Sequence, residues 1–325
     1  MAGSESRLQT TIRSGEPILV VEVAPPRGGD PAPLRAAAKR FAGRVHAIGV
    51  SDSRHGVSIS ALAAAGIIAA EGVEPIMHFV TRDRNRIALI ADCLGAQALG
   101  VRNILCTSGT HQTLGICRPA KSVFDIDAIQ LLDAIMRLAD GSAVCADGFD
   151  GAGPFCLGAV AAPFADPLEM QLMRLSKKIA AGARFLITQP VFDLDRLSTW
   201  WDQVTQRGIH EKAAILAGIQ PLLDAEDAKS FAASRPFPMV PQAVLDKLSS
   251  AGDRKAQRAA GIEIALETIK QVSALKGLRG FQICADSDDD AVLEIIERAG
   301  LGYSDPSDPS QRSQKSQRSQ RPEAR

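Results

Sequence analysis

Eight short runs of β-forming residues alternate with helical stretches along this chain, and that alternation limits the possible folds more than any other feature. The strands read as Ile18–Ala24, Ala47–Asp52, Pro75–Thr81, Asn103–Ser108, Cys156–Ala162, Phe185–Val191, Ala213–Ile219 and Gly280–Ala285. Between them lie segments with apolar residues at helical spacing. These are Pro31–Arg44, Ser58–Glu71, a helix capped by Asn85 that runs to Leu99, Asp127–Ala139, Leu168–Ala181, Leu194–Arg207, a longer broken stretch over Ala225–Lys276, and Asp288–Ala299. Such alternation implies parallel strands joined by right-handed crossovers. Eight units in about 300 residues match a closed (β/α)8 TIM barrel, one α/β domain over residues 16–303. An open doubly wound sheet is the alternative, but no G-x-G-x-x-G follows the first strand. Residues 1–15 read as a flexible N-terminus. Residues 304–325, rich in Ser, Gln and Arg, cannot bury a core and read as a disordered basic tail, either solvated or partner-binding.

Charge and cysteine content narrow the function classes. Lys plus Arg and Asp plus Glu are both 37, so the formal net charge is zero. That removes the electrostatic case for nucleic acid or an anionic membrane as partner. The six cysteines, Cys93, Cys106, Cys117, Cys145, Cys156 and Cys284, show no C-x-x-C spacing and mostly sit in apolar runs. They read as reduced core thiols of a cytoplasmic protein. His46, His55 and His210 have no metal-ligand spacing, so no metal site is expected. No signal-peptide pattern and no apolar run long enough to span a bilayer is seen. Homo-oligomerisation stays open.

Two strands carry a polar residue in an otherwise apolar run. Glu22 stands in Val20-Val21-Glu22-Val23-Ala24-Pro25-Pro26, and Gln189 in Phe185-Leu186-Ile187-Thr188-Gln189-Pro190. A carboxylate or amide in such a run is costly unless paired, protonated or used. Both fall near the C-terminal ends of their strands, where a barrel of this kind builds its active site. The structural alternative for Glu22 is a buried ion pair with an arginine of a neighbouring strand. His78 lies near the end of the third strand, as a structural or a functional histidine. The following Arg82-Asp83-Arg84-Asn85-Arg86 is either an anion-binding helix N-terminus or a salt-bridged cap. Thr107-Ser108-Gly109-Thr110 is small enough to let a ring or phosphate approach the backbone. Lys177 and Lys178 either reach a phosphate or face water. Trp200 and Trp201, on an amphipathic helix, read as core plus interface rather than as a stacking platform.

In order along the chain, Glu22 before Pro25-Pro26, His78 before the Arg82–Arg86 run, Ala181-Gly182-Ala183 leading to Thr188-Gln189, and Ala217-Gly218-Ile219-Gln220-Pro221 resemble the methylenetetrahydrofolate reductase family. The resemblance covers residues 16 to 300. It implies a (β/α)8 barrel that binds a flavin, usually FAD with FMN as an alternative, and reduces methylenetetrahydrofolate to methyltetrahydrofolate. It implies Glu22 as general acid and Gln189 and Thr110 as folate-contacting positions. It places His78, Ser108, Gly109, Ala162 and Lys178 at the flavin. NAD(P)H or a reducing partner protein is the implied electron source. The chain departs from the family at several points. Gly109-Thr110 stands where the family has Gly-Asp, Ser108 where it has Arg, and Ala162 where it has Tyr. Ala225 falls near a family Phe, and Phe281-Gln282-Ile283-Cys284 replaces an aromatic strand ending. Two further readings remain: a folate- or flavin-binding paralogue that acts with a partner subunit, and a pterin-binding methyltransferase barrel.

Overall fold

The structure, a computed structural model, describes residues 5–303 apart from 54–55, 115–116, 144–145, 148–152, 234–239 and 286–287. The tail 304–325, His55 and Cys145 therefore lie outside the described residues. The barrel strands are β1 (Ile18–Val23), β2 (Ala47–Val50), β3 (Pro75–Val80), β4 (Asn103–Thr107), β5 (Cys156–Ala161), β6 (Phe185–Pro190), β7 (Ala214–Ile219) and β8 (Gly280–Ala285). They close in the order β1-β8-β7-β6-β5-β4-β3-β2, and every neighbouring pair is parallel. The (β/α)8 architecture expected from the alternation is the one observed.

Helices α2 (Ala32–Phe41), α3 (Ala61–Ala70), α4 (Arg86–Ala98), α5 (Ala128–Ala139), α6 (Leu168–Ala180) and α7 (Leu194–Gln206) follow β1 to β6 in turn. Their starts are set by local chemistry. Asn85 accepts from the Ala88 N–H, and Asp127 closes a reciprocal capping box with Gln130. A short helix, α8 (Ile209–Lys212), precedes β7. The broken stretch after β7 resolves into α9 (Ala225–Ala233), α10 (Gln242–Ser250) and α11 (Arg254–Val272), and α12 (Asp289–Arg298) closes the chain of helices. Trp200 and Trp201 are buried core residues of α7.

Strand side chains alternate across the barrel wall. One set, including Val21, Ile48, Met77, Ile104, Leu157, Leu186, Ile215 and Ile283, packs outward against the helices. The other, including Ile18, Val20, Ala47, Ile76, Cys156, Phe185, Ala214 and Leu216, fills the interior. Gly158 makes room for the largest of these: a Cβ there would stand 2.2 Å from Phe185 Cζ. The lower interior is thus solid hydrocarbon, and polar inward positions are left to the C-terminal end.

The N-terminal segment corrects the sequence reading. Within residues 1–15, expected to be flexible, Arg7–Ser14 forms the helix α1, and its Leu8 is fully buried in the interior cluster. The Glu74 carboxylate, just ahead of β3, accepts from the backbone N–H of Arg7 (2.7 Å) and of Leu8 (2.9 Å) and from Asn103 Nδ2 (2.8 Å). A carboxylate at a helix N-terminus satisfies orphan donors and favours the helix dipole. The helix is therefore a plug on the barrel floor, held by a residue far away in sequence. We expect Leu8→Ala to cost about 2–5 kcal/mol and Glu74→Ala about 1–3 kcal/mol in urea denaturation. Losses below about 0.5 kcal/mol in both variants, no more than a surface substitution gives, would mean that the plug is not docked.

Candidate active site

Above the hydrocarbon floor the barrel opens into a cavity of about 930 Å³ at the C-terminal ends of the strands. That is at the upper end of the range for small-molecule sites. Its inward polar side chains come from separate strands: Glu22 from β1, His78 from β3, Gln189 from β6 and Gln282 from β8. Leu105, Val160 and Ile187 contribute apolar wall.

Glu22 is 6% exposed. Its Oε2 accepts from Gln282 Nε2 at 2.7 Å and from the Cys284 thiol at 3.7 Å. The register explains the contact. Val20 pairs with Gln282 and Glu22 with Cys284, so Gln282 sits one inward position below Glu22 on the adjacent strand and reaches up to it. The other neighbour of Glu22 is Gly49 of β2. A Cβ at Gly49 would lie 2.9 Å from His78 Nε2 and 3.7 Å from Gln282 Oε1. The missing side chain is what lets His78 and Gln282 lean over β2.

Gln189 reaches the cavity through an irregularity. The β6–β7 register shifts between Ile187 and Pro190. The Thr188 hydroxyl accepts from the Gly218 N–H at 2.9 Å and donates to the Gln189 carbonyl at 2.8 Å. Gly218 permits the close crossing, since a Cβ there would stand 2.6 Å from the Thr188 carbonyl oxygen. Such a bulge re-aims a side chain. Gln189 Oε1 and Gln282 Oε1 are buried with no hydrogen-bond partner among the described residues.

The Arg82–Arg86 run takes the salt-bridged form of its two readings. Arg82 grips both oxygens of Asp83 (2.8 and 2.6 Å) and donates to the Thr110 carbonyl at 2.9 Å. Arg84 grips both oxygens of the buried Asp52 (2.6 and 3.1 Å), and Arg86 does the same with Asp125 (2.9 and 2.8 Å). Arg86 pulls the Asp125 carboxyl down to about 2. Asp83 also accepts from Gln112 Nε2 at 2.7 Å, so the loops after β3 and β4 are laced together. Gly109, at φ +81°, lies against β3: a Cβ would come within 2.5 Å of Val80 Cγ1.

The structure gathers Glu22, His78, Gln189, Gly109 and Thr110 around one cavity. Ser108 and Ala162 sit at the ends of β4 and β5 but are not in its lining. Lys178 is also outside the lining: from α6 its ammonium donates to the Val160 carbonyl at 2.6 Å. Burial, with the charge of Arg174 adding, brings that ammonium down to about 8. Gln282 and Asp52 were not singled out from the sequence as site residues. Gln282 carried the same signal as Glu22 and Gln189, a polar residue inside an apolar strand. Cys93, Cys106, Cys156 and Cys284 are buried free thiols and Cys117 is an exposed one. Among the described residues no group of three or more His, Cys, Asp or Glu is placed to hold a metal, and no helix is long and apolar enough to cross a membrane.

A closed (β/α)8 barrel with an acid and two amides at its C-terminal mouth is an enzyme-like site, and sequence comparison gives it a family. Residues 7–300 match the family described as methylenetetrahydrofolate reductase, and the chain belongs to that family. It is 30% identical over 152 residues to methylenetetrahydrofolate reductase 1 of Schizosaccharomyces pombe, covering 45% of this chain and 24% of the yeast protein. It is 24% identical over 250 residues to a probable methylenetetrahydrofolate reductase (NADPH) of Caenorhabditis elegans, covering 75% of this chain and 35% of the worm protein. The chain thus spans about a quarter to a third of the length of these relatives. In fold it is similar to a Clostridium thermocellum protein whose solved structure binds two copies of 5-methyl-5,6,7,8-tetrahydrofolic acid, with TM-score 0.62, 13% identity and coverage of 90% and 97% of the two chains.

The position of Lys178 has a measurable consequence. Its ammonium deprotonates at about 8 when folded, and at about 10.4 in an unfolded chain. Between those values the folded state binds fewer protons than the unfolded one. Its contribution to stability therefore improves as pH rises through that window. We expect the melting-temperature difference between the parent and Lys178→Met to move in favour of the parent between about pH 7.5 and pH 9.5. A difference that stays constant with pH would show that this ammonium is not perturbed.

Proposed function

We propose that this chain reduces 5,10-methylenetetrahydrofolate to 5-methyltetrahydrofolate, with a reduced flavin, FAD or FMN, as immediate hydride donor. The observation that carries the reading is the buried carboxyl of Glu22, held by Gln282 at a cavity that Gln189 also lines, its Oε1 without a hydrogen-bond partner among the described residues. A pterin offers amino and ring N–H groups to such acceptors, and a glutamine amide provides a donor beside its acceptor. Membership of the family supports the folate substrate. The methyltetrahydrofolate bound by the Clostridium thermocellum protein supports it at the level of fold alone.

The residues fit a planar ring system. Gly109 lets the loop after β4 lie flat on the end of β3, so that this wall presents backbone rather than a large side chain. His78 stands on the same strand as Val80, which lines that wall. Arg82, the guanidinium of the described lining, is already engaged by Asp83 and the Thr110 carbonyl.

The bridging methylene must become an electrophilic iminium before it accepts hydride. Glu22 donates a proton to the leaving nitrogen, the C–N bond breaks with its electron pair going to that nitrogen, and the methylene becomes an iminium on the nitrogen that retains it. A carboxylic acid within reach of the reacting nitrogen can serve as general acid for this step. A reduced flavin, when bound, would supply the hydride and would be replenished by NAD(P)H or a reducing partner protein. Gln189 orients the pterin edge, and Val160 and Ile187 give the cavity an apolar wall beside the acid.

A second reading is favoured by two observations. Lys178 is not in the cavity lining, and Thr110 stands where the resemblance to the family implies an aspartate. A chain with weakened flavin contacts would act on folate with electrons delivered by a partner subunit. The absorbance spectrum of the purified protein, with chromatography of acid-released cofactor, separates the two. We expect bound flavin after reconstitution; its complete absence, with folate binding retained, would move the function to the partner-dependent form.

Glu22→Gln tests the chemistry. Size and shape are kept and the acid is removed. Reoxidation of reduced flavin by methylenetetrahydrofolate should fall roughly a hundredfold to ten-thousandfold, while flavin reduction by its donor and the melting temperature hold. Equal damage to both half-reactions together with a lower melting temperature would instead make Glu22 a structural residue.

A further inference from the structure

We propose that Thr188 is a positioning residue for Gln189: its hydroxyl takes the place of a missing strand-to-strand bond and so fixes the backbone from which the amide reaches the folate. The inference rests on Gln189 being a folate contact. On its β5 side, β6 keeps a regular register as far as Ala161 opposite Thr188. On its β7 side the register runs to Ile187 opposite Leu216 and resumes at Pro190 opposite Gly218. The three steps from Ile187 to Pro190 thus meet the two from Leu216 to Gly218. Gln189 has a register partner on neither neighbouring strand. Ile187, Thr188, Gln189 and Pro190 all line the cavity, four consecutive residues where an alternating strand would offer every second one.

The hydroxyl of Thr188 closes this gap. Thr188 is 4% exposed. Its Oγ1 accepts from the Gly218 N–H at 2.9 Å and donates to the Gln189 carbonyl at 2.8 Å. A hydroxyl has one proton to give, so this one is committed to the protein and not to a ligand, although Thr188 lines the cavity. Pro190 brings no N–H to the ladder, and the Gly218 carbonyl accepts from the Val191 N–H at 2.9 Å. Thr188 therefore bonds one strand to the next and, through the same oxygen, holds the peptide that follows it. A valine would fill the same space. A buried hydroxyl is costly unless it is bonded, and both bonds here act on the backbone around Gln189.

A glutamine amide offers a donor on one side and an acceptor on the other, so it reads a pterin edge only when its direction is held. That direction starts from the backbone of Gln189. Gly218 completes the arrangement: a Cβ there would stand 2.6 Å from the Thr188 carbonyl oxygen and 3.2 Å from that of Gln189. Without the hydroxyl, the Gly218 N–H and the Gln189 carbonyl lose the partner they share. The strand then relaxes toward a regular ladder or opens away from β7, and either movement shifts Gln189 against the cavity while the rest of the barrel holds the fold.

The probe is 5-methyltetrahydrofolate, titrated calorimetrically into the full chain, so the outcome depends neither on turnover nor on bound flavin. Gln189→Leu should weaken binding roughly tenfold, the worth of about one lost hydrogen bond. We expect Thr188→Val to weaken it by a similar factor, and Thr188→Ser, which keeps the hydroxyl, to stay within about threefold of the parent. In the Gln189→Leu background, Thr188→Val should cause no further loss, because no amide is left to place. A lowered melting temperature for Thr188→Val with parental affinity in the folded variant would make Thr188 purely structural and overturn the proposal. An equal fall in both backgrounds also overturns it, as does a loss in Thr188→Ser as large as that in Thr188→Val. If the parent does not bind the probe, or Gln189→Leu binds it as the parent does, the folate contact fails and this proposal with it. If Gln189→Leu is weakened and Thr188→Val is not, only the positioning role falls. Should Thr188→Val fail to fold, Thr188→Cys puts a weaker hydrogen-bonding group of similar size in the same place. Parental affinity in that variant would equally overturn the role.

Discussion

Closure of eight parallel strands imposes one constraint from which the rest of this molecule follows. Every second side chain is turned into a space bounded on all sides by backbone whose hydrogen bonds are already made. Near the floor that space is filled by Phe185, Ile18, Val20, Ile76 and Leu216, with Leu8 pressed in from α1. A polar group there needs a partner within the protein, as the buried Asn103 has in Glu74 and the Pro75 carbonyl. Glu22, His78, Gln189 and Gln282 instead line the cavity toward the C-terminal ends of their strands. The site is therefore set by how far up its strand each polar residue falls, as much as by which residues they are.

Absent side chains shape this layer as strongly as those present. Gly49 opens the wall of β2 so that His78 and Gln282 approach one another above it, and Gly218 allows β6 to cross close enough to β7 for the Thr188 bulge to form. Neither glycine adopts a left-handed backbone, so each is needed for space rather than for conformation. Around the mouth the order is electrostatic instead. Arg82, Arg84 and Arg86 each hold a carboxylate with two or more hydrogen bonds. Bidentate pairs of this kind add geometric definition beyond their energy. They tie the loops after β2, β3 and β4 to one another without presenting a free guanidinium of this run to the cavity.

The barrel was legible because its signal is repetitive: strand runs and amphipathic helices recur eight times, and each reading supports the next. Strand limits fall within a residue or two of those read from composition, because an apolar run flanked by Gly, Pro or Asn has few alternative frames. The helix α1 was not legible. Arg7-Leu8-Gln9-Thr10-Thr11-Ile12-Arg13-Ser14 has only Leu8 and Ile12 as apolar residues, and isolated helices of that length are marginal. Its stability comes from Glu74 and from the hydrocarbon floor, both tertiary. Within the site, Glu22 and Gln189 stood out as polar residues in apolar strands. Gln282 gave the same signal, but its importance lies in the β1–β8 register, which no local reading of the sequence contains.

That register also accounts for the side chains that β8 brings to Glu22 in a largely apolar wall. An amide satisfies a carboxyl oxygen with a neutral dipole rather than a charge. The neighbouring strand supplies that amide, together with a thiol, which is a weak and neutral donor. Among the described residues, Arg82, Arg84 and Arg86 of this end of the barrel pair with Asp83, Asp52 and Asp125 in the loops. Ion pairs thus hold the loops of the rim, while the described contacts that reach Glu22 from β8 are an amide and a thiol.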